Sequence, residues 1–144
     1  IDIGGTELQW LGLDGGPRGG TVFFLARNKL PMPTTHGSDF ENLCELRNLV
    51  AVNLRSAAPD GVAIVRAGKD SSPMRVKCEF VVELACRDLN ISCTLVAPQT
   101  VAAAEKRKIA QAAGMTFEAA FNSGAPIEPK YLQRAACCAW TLLK

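Results

Sequence analysis

The chain has 144 residues, 48% of them hydrophobic, and a formal net charge of +2. That length suits one domain, over 1–144, with one substantial core, and the balanced charge neither requires nor forbids a nucleic-acid partner. No apolar run approaches the roughly 18 residues that span a bilayer, and no charged-then-apolar leader opens the sequence, so a cytoplasmic protein without a membrane partner is expected.

Ile1-Asp2-Ile3-Gly4-Gly5-Thr6 opens the chain as an apolar segment with one carboxylate, then a glycine turn. Ile1 already lies in a strand pattern, so the strand is expected to begin before it. Residues 8–13 and 21–27 read as two further strands around the turn signal Asp14-Gly15-Gly16-Pro17-Arg18-Gly19-Gly20. Together these predict a three-stranded antiparallel meander. A carboxylate on a central strand is costly to bury unless a cation or a donor meets it. Asp2 is therefore a metal ligand, a phosphate-site residue or a turn-capping Asp.

Ser38, with Glu41 in the capping-box position, predicts a helix from Asp39 to about Ala57 that stops before Pro59. Leu43, Leu46, Val50 and Leu54 share its apolar face. Gly61-Val62-Ala63-Ile64-Val65 is a continuous apolar strand of the parallel-sheet type. Ser72-Pro73 then opens a helix to about Leu89, with Met74, Cys78, Val81, Val82, Ala85 and Leu89 together. Asn90 ends it, and residues 91–96 form the next strand. Pro98 opens an alanine-rich helix to about Ala113, and a last helix runs from Lys130 to about Leu143. The order βββ-α-β-α-β-α-α predicts an α/β fold, a mixed five-stranded sheet with helices on its faces.

The six cysteines, Cys44, Cys78, Cys86, Cys93, Cys137 and Cys138, form no CxxC pair, and the single His36 offers no zinc pattern. They read as small buried hydrophobes in a reducing compartment. Trp10 and Trp140 read as core residues rather than base-stacking platforms. His36 has no catalytic partner in the sequence.

The element order, with Ile1-Asp2-Ile3-Gly4-Gly5-Thr6 leading into Gln9-Trp10-Leu11-Gly12-Leu13, resembles the ribonuclease H-like superfamily and, within it, RuvC-type Holliday-junction resolvases. Gly61-Val62-Ala63-Ile64 is similar to their fourth strand. Lys77-Cys78-Glu79 and Pro98-Gln99-Thr100-Val101 resemble motifs of an uncharacterised bacterial family of small RuvC-like proteins. The resemblance covers nearly the whole chain. It implies a three-layer fold and metal-dependent phosphodiester cleavage of structured DNA or RNA, with carboxylates holding Mg²⁺ or Mn²⁺. Asp2 and Glu79 are then the metal ligands, Asp70 a further catalytic acid, and Lys69 and Lys77 the phosphate contacts.

The sequence departs from that pattern at two places. The end of the fourth strand reads Ile64-Val65-Arg66-Ala67-Gly68, with no acid before Asp70, and the last helix reads Gln133-Arg134-Ala135-Ala136-Cys137-Cys138, with none at all. Glu128 substitutes only if its loop folds back. Competing readings follow from single features. Arg75, Glu79, Glu83 and Arg87, spaced by four, also read as an exposed salt-bridged stripe. Lys106-Arg107-Lys108 is a basic patch for a nucleic-acid backbone or a solvated face beside Glu105. A catalytically inactive binding or assembly module is the alternative function, with Ala102, Ala103, Ala112, Ala113, Ala135, Ala136 and Ala139 suiting a homodimer interface. Asp2-Ile3-Gly4-Gly5-Thr6 also resembles the first phosphate loop of actin-like sugar kinases, but the chain has length for one lobe only.

Overall fold

The computed structural model describes residues 1–4, 7–15, 22–103 and 132–142. Its first strands are β1 (Asp2–Ile3), β2 (Glu7–Gly15) and β3 (Val22–Pro31), in one antiparallel sheet of order β1-β2-β3. The Gly4 N–H donates to Glu7 O at 2.8 Å and closes the first turn. A Cβ on Gly4 would stand 3.2 Å from that same oxygen, so the close approach favours glycine here. β2 and β3 pair from Glu7↔Pro31 to Gly15↔Val22, with a register shift between Gly12 and Leu13. β3 thus runs past Arg27, where the sequence predicts its end. The polar residue Lys29 stays in the strand by facing Gln9 and by an ion pair from its Nζ to Glu7 Oε1 at 3.1 Å. Pro31 is tolerated as the terminal residue of the strand.

Helix α1 (Asp39–Ala57) follows, then β4 (Gly61–Val65), α2 (Pro73–Asp88) and β5 (Ser92–Val96). Residues 98–103 begin α3, and α4 spans Leu132–Trp140. Ser38 caps α1 as expected: its Oγ accepts from the Glu41 N–H at 3.3 Å and donates to Glu41 Oε2 at 2.9 Å. Ser72 caps α2 by accepting from the Arg75 N–H, with a proline in its first turn. Left-handed residues follow both helices, Ala58 (φ 43°) and Asn90 (φ 56°). Among the described residues no helix is long and apolar enough to cross a membrane.

β4 and β5 form a parallel pair, from Gly61↔Ser92 to Val65↔Val96. The strands therefore fall in two sheets, of three and two strands, rather than the single sheet expected. Two hydrogen bonds link them: the Ile1 amino group donates to Ala63 O at 2.6 Å, and the Val65 N–H donates to Ile1 O at 2.9 Å. These bonds flank Ile1 as bonds in a parallel ladder do.

β4 alternates between two apolar layers, as strand geometry requires. Val62 and Ile64 pack with Ile3, Leu8 and the buried faces of α1 (Leu46, Val50, Leu54) and α2 (Cys78, Val81, Val82, Ala85, Cys86). Ala63 and Val65 pack on the other side with Leu11, Val96, Val101 and Ala135 to Cys138 of α4. Trp140 lies against that second cluster, as its reading as a core residue expects. Ile64, Val65, Leu46 and Val82 are fully buried, and each such side chain contributes about 1.5–3 kcal/mol over leaving it exposed. Ala135 and Ala136 are consumed by this core, so their small size serves packing inside the chain. All six cysteines are free thiols, and Cys44 is exposed rather than buried.

Candidate functional site

Successive residues of β1 point to opposite faces. Ile3 joins the α1/α2 core, and Asp2, only 9% exposed, is one of two buried acids among the described residues. The other is Glu79 of α2, at 7%. The helical arc Cys78, Val81, Val82, Ala85 and Cys86 is buried, and Glu79 lies within it. The spacing-by-four stripe of Arg75, Glu79, Glu83 and Arg87 is therefore not a solvated face. Only Arg87 of the four is exposed.

Each buried acid has a cationic or donor partner. Arg75 Nη2 donates to Val65 O at 3.1 Å and to Asp2 Oδ1 at 3.4 Å. Arg134, from the first turn of α4, places its Nε 3.7 Å from Asp2 Oδ2, an ion pair longer than a hydrogen bond. Glu79 Oε2 accepts from the Ala67 N–H at 2.5 Å and so fixes the loop that leaves β4. Both carboxylates thus gather at the carboxyl end of β4, around Val65 to Ala67, but on different partners. The backbone ladder reaches the same place, with the Arg66 N–H donating to Val96 O at 2.9 Å.

The other sequence candidates are dispersed. Lys69 and Asp70 are exposed in the turn closed by the Ser71 N–H and Gly68 O at 3.1 Å. Lys77 lies on the outer face of α2 and pairs with Asp39 Oδ2 of α1 at 3.1 Å. His36 pairs with Glu45 at 2.8 Å on the surface. Glu128, Glu105 and Lys106 to Lys108 lie outside the described residues, as do Ala112 and Ala113.

Beneath the site, Cys138 of α4 is fully buried, and burial pushes its thiol up to about 11, with the Asp2 carboxylate adding to the rise.

This donor set does not suit a divalent cation. Mg²⁺ and Mn²⁺ seek several oxygen ligands of negative charge. Here the lone pairs of Asp2 face two guanidinium groups, and one oxygen of Glu79 is spent on a backbone amide. Among the described residues no group of three or more His, Cys, Asp or Glu side chains converges. Arg75 and Arg134 are the site residues that sequence reasoning missed. The signal for Arg75 was its place on the same helix face as the buried arc. For Arg134 it was its position just before the apolar run Ala135 to Cys138.

No protein-family model matches the chain, and no curated protein matches it. Solved structures do. The structure of Thermus thermophilus RuvC superposes with a TM-score of 0.72 at 17% identity, covering 98% of this chain and 89% of that one. T. thermophilus RuvC in complex with a Holliday junction substrate superposes at 0.76 and 15% identity, with the same coverage of 98% and 89%. The chain has a RuvC-like ribonuclease H fold, and at these identities the likeness is one of fold.

Proposed function

We propose that this chain is a RuvC-like nucleic-acid-binding domain, one ribonuclease H-like unit over 1–144 with its five strands acting as one mixed sheet. Branched DNA of the Holliday-junction kind is its ligand class, and it binds without cutting. The observation that carries this reading is the seat of Asp2 between Arg75 and Arg134. A cation-binding carboxylate site is negative, whereas this carboxylate is already neutralised by the chain's own guanidinium groups. The substrate class comes from the similar structure that holds a Holliday junction. We place the protein with the small bacterial RuvC-like proteins of the cytoplasm. A homodimer through the exposed Ala102 and Ala103 belongs to the same proposal, and sedimentation at micromolar concentration tests it.

A second reading has one observation in its favour: the two buried acids sit at the same end of β4. In it Asp2 and Glu79 bind Mg²⁺ or Mn²⁺, Asp70 or Glu128 completes the shell, and Lys69 and Lys77 meet phosphate, giving a metal-dependent nuclease. One experiment separates the two. Labelled four-way junctions, duplexes and RNA–DNA hybrids are incubated with Mg²⁺ or Mn²⁺ and either wild type or Asp2→Asn, with binding followed in parallel. Junction binding without cleavage is expected. Metal-dependent cleavage that vanishes in Asp2→Asn establishes the nuclease instead.

A further inference from the structure

The cluster at the end of β1 carries two positive charges against one negative, and among the described residues its contacts leave most of the guanidinium hydrogens unspent. Among the described residues Arg75 uses Nη2 alone, for Val65 O and Asp2 Oδ1. Among the described residues Arg134 makes a single ion pair, through Nε at 3.7 Å, and its side chain is 51% exposed. Its two terminal nitrogens make no ion pair among the described residues, and its Nε edge faces Asp2. Arg66, immediately after β4, and Lys69, in the same loop, are exposed and make no ion pair among the described residues. Of the acids nearby, Asp2 and Glu79 are both engaged, and Asp70, beside Lys69 in the same turn, is exposed and offsets one charge of that rim.

Planar guanidinium groups match the two non-bridging oxygens of a phosphodiester, and a fork already held by a carboxylate loses less freedom when it binds. We infer that Arg75 and Arg134 form a metal-free clamp for a backbone phosphate, with Asp2 as the positioning residue that orders both. The clamp rests on the nucleic-acid reading above and inverts the electrostatics of a two-metal site. In such a site carboxylates gather cations, which then meet the phosphate. Here the chain's own cations meet it directly. Arg66 and Lys69 extend the positive rim along which the rest of a strand runs.

The test measures binding of a fluorescent four-way junction by anisotropy, in EDTA, over a range of salt. Arg134→Ala, whose parent side chain is half exposed and safe to truncate, is expected to weaken binding about tenfold or more. It should also lower the slope of log affinity against log salt by about 0.9, one phosphate contact on duplex DNA. Arg134→Lys keeps the charge without the fork and falls between. Arg47→Ala, which breaks a surface pair with Asp88, leaves affinity and slope unchanged. In parallel, arginine Nε–Hε resonances are followed by NMR on addition of inorganic phosphate, and those of Arg75 and Arg134 are expected to shift. Junction binding that Arg134→Ala leaves intact overturns the clamp while the nucleic-acid reading stands. Phosphate shifts without junction binding keep the clamp and overturn that reading. Neither binding nor shifts overturns both, and junction binding that requires Mg²⁺ overturns the clamp.

Discussion

Arg75 and Glu79 stand one turn apart on α2 yet do not pair: Arg75 donates to Asp2, 73 positions earlier, and Glu79 accepts from the backbone of Ala67. The local attraction of an i, i+4 pair is only about 0.2–0.5 kcal/mol. Satisfying a buried carboxylate and a half-buried amide is worth more, so the longer-range partners win. This exchange welds β1, the end of β4, α2 and α4 into one corner.

Asp2→Asn should therefore act on stability. It removes the negative charge that faces Arg75 and Arg134, and Arg75 is itself largely covered, its side chain 16% exposed. A loss of about 1–3 kcal/mol in urea unfolding is expected. Mg²⁺ should shift the melting temperature of wild type and variant alike. A Mg²⁺ stabilisation seen in wild type and lost in Asp2→Asn would identify Asp2 as a metal ligand.

Glu79 makes a different demand. Glu79→Ala strands the half-buried Ala67 N–H and should destabilise by about 1–3 kcal/mol. Glu79→Gln keeps a carbonyl oxygen for that N–H and loses only the charge, so it should retain most of the stability. Denaturant titration of both variants measures the gap. Equal losses in the two would mean that the carboxylate charge, rather than the acceptor, is what the fold uses.

Much of the scaffold is legible in the sequence because its signals are local. α1 occupies Asp39–Ala57 because Ser38 and Glu41 start it and Pro59 lies beyond its end, and β4 occupies Gly61–Val65 because an unbroken apolar run sits between Asp60 and Arg66. The carboxylate of Asp2 is legible as well, from its place before the glycine turn. Its partners are not. Arg134 lies far along the chain from Asp2, and no periodicity relates the two. The run of β3 past Arg27 is hidden for the same reason, since the place of Lys29 in the strand depends on Glu7 and Gln9 across the ladder.

Ala58 ends α1 in the left-handed region, at φ 43°, with its N–H donating to Leu54 O at 2.8 Å. A side chain with a Cβ is strained there by about 1–2 kcal/mol. Glycine relieves the strain but adds freedom to the unfolded chain. Ala58→Gly, at an exposed position, should raise stability by about 0.5–1 kcal/mol. A lower melting temperature in the variant would show that the cap carries no strain.

The thiols give a pH signature. Cys138 is fully buried, and its thiol is pushed up to about 11 from 9.0, chiefly by burial. In the unfolded chain the thiol ionises through pH 9, while in the folded protein it keeps its proton to about 11. The folded state then binds more protons than the unfolded one, so stability falls as pH rises across that window. The contribution is fully present below pH 9 and is lost by about 11. The drop is about 3 kcal/mol, read from urea midpoints at successive pH values, and Cys138→Ala should flatten it. Reactivity follows the same logic. Cys44 is exposed and should react first with an alkylating agent near pH 8. Cys93 is only partly covered, yet it should lag behind, because donating a hydrogen bond to Cys86 holds its thiol protonated, with burial adding to the effect. Alkylation of Cys138 in the native protein at the rate of Cys44 would mean that α4 opens on the timescale of the reaction, and with it the corner that seats Asp2.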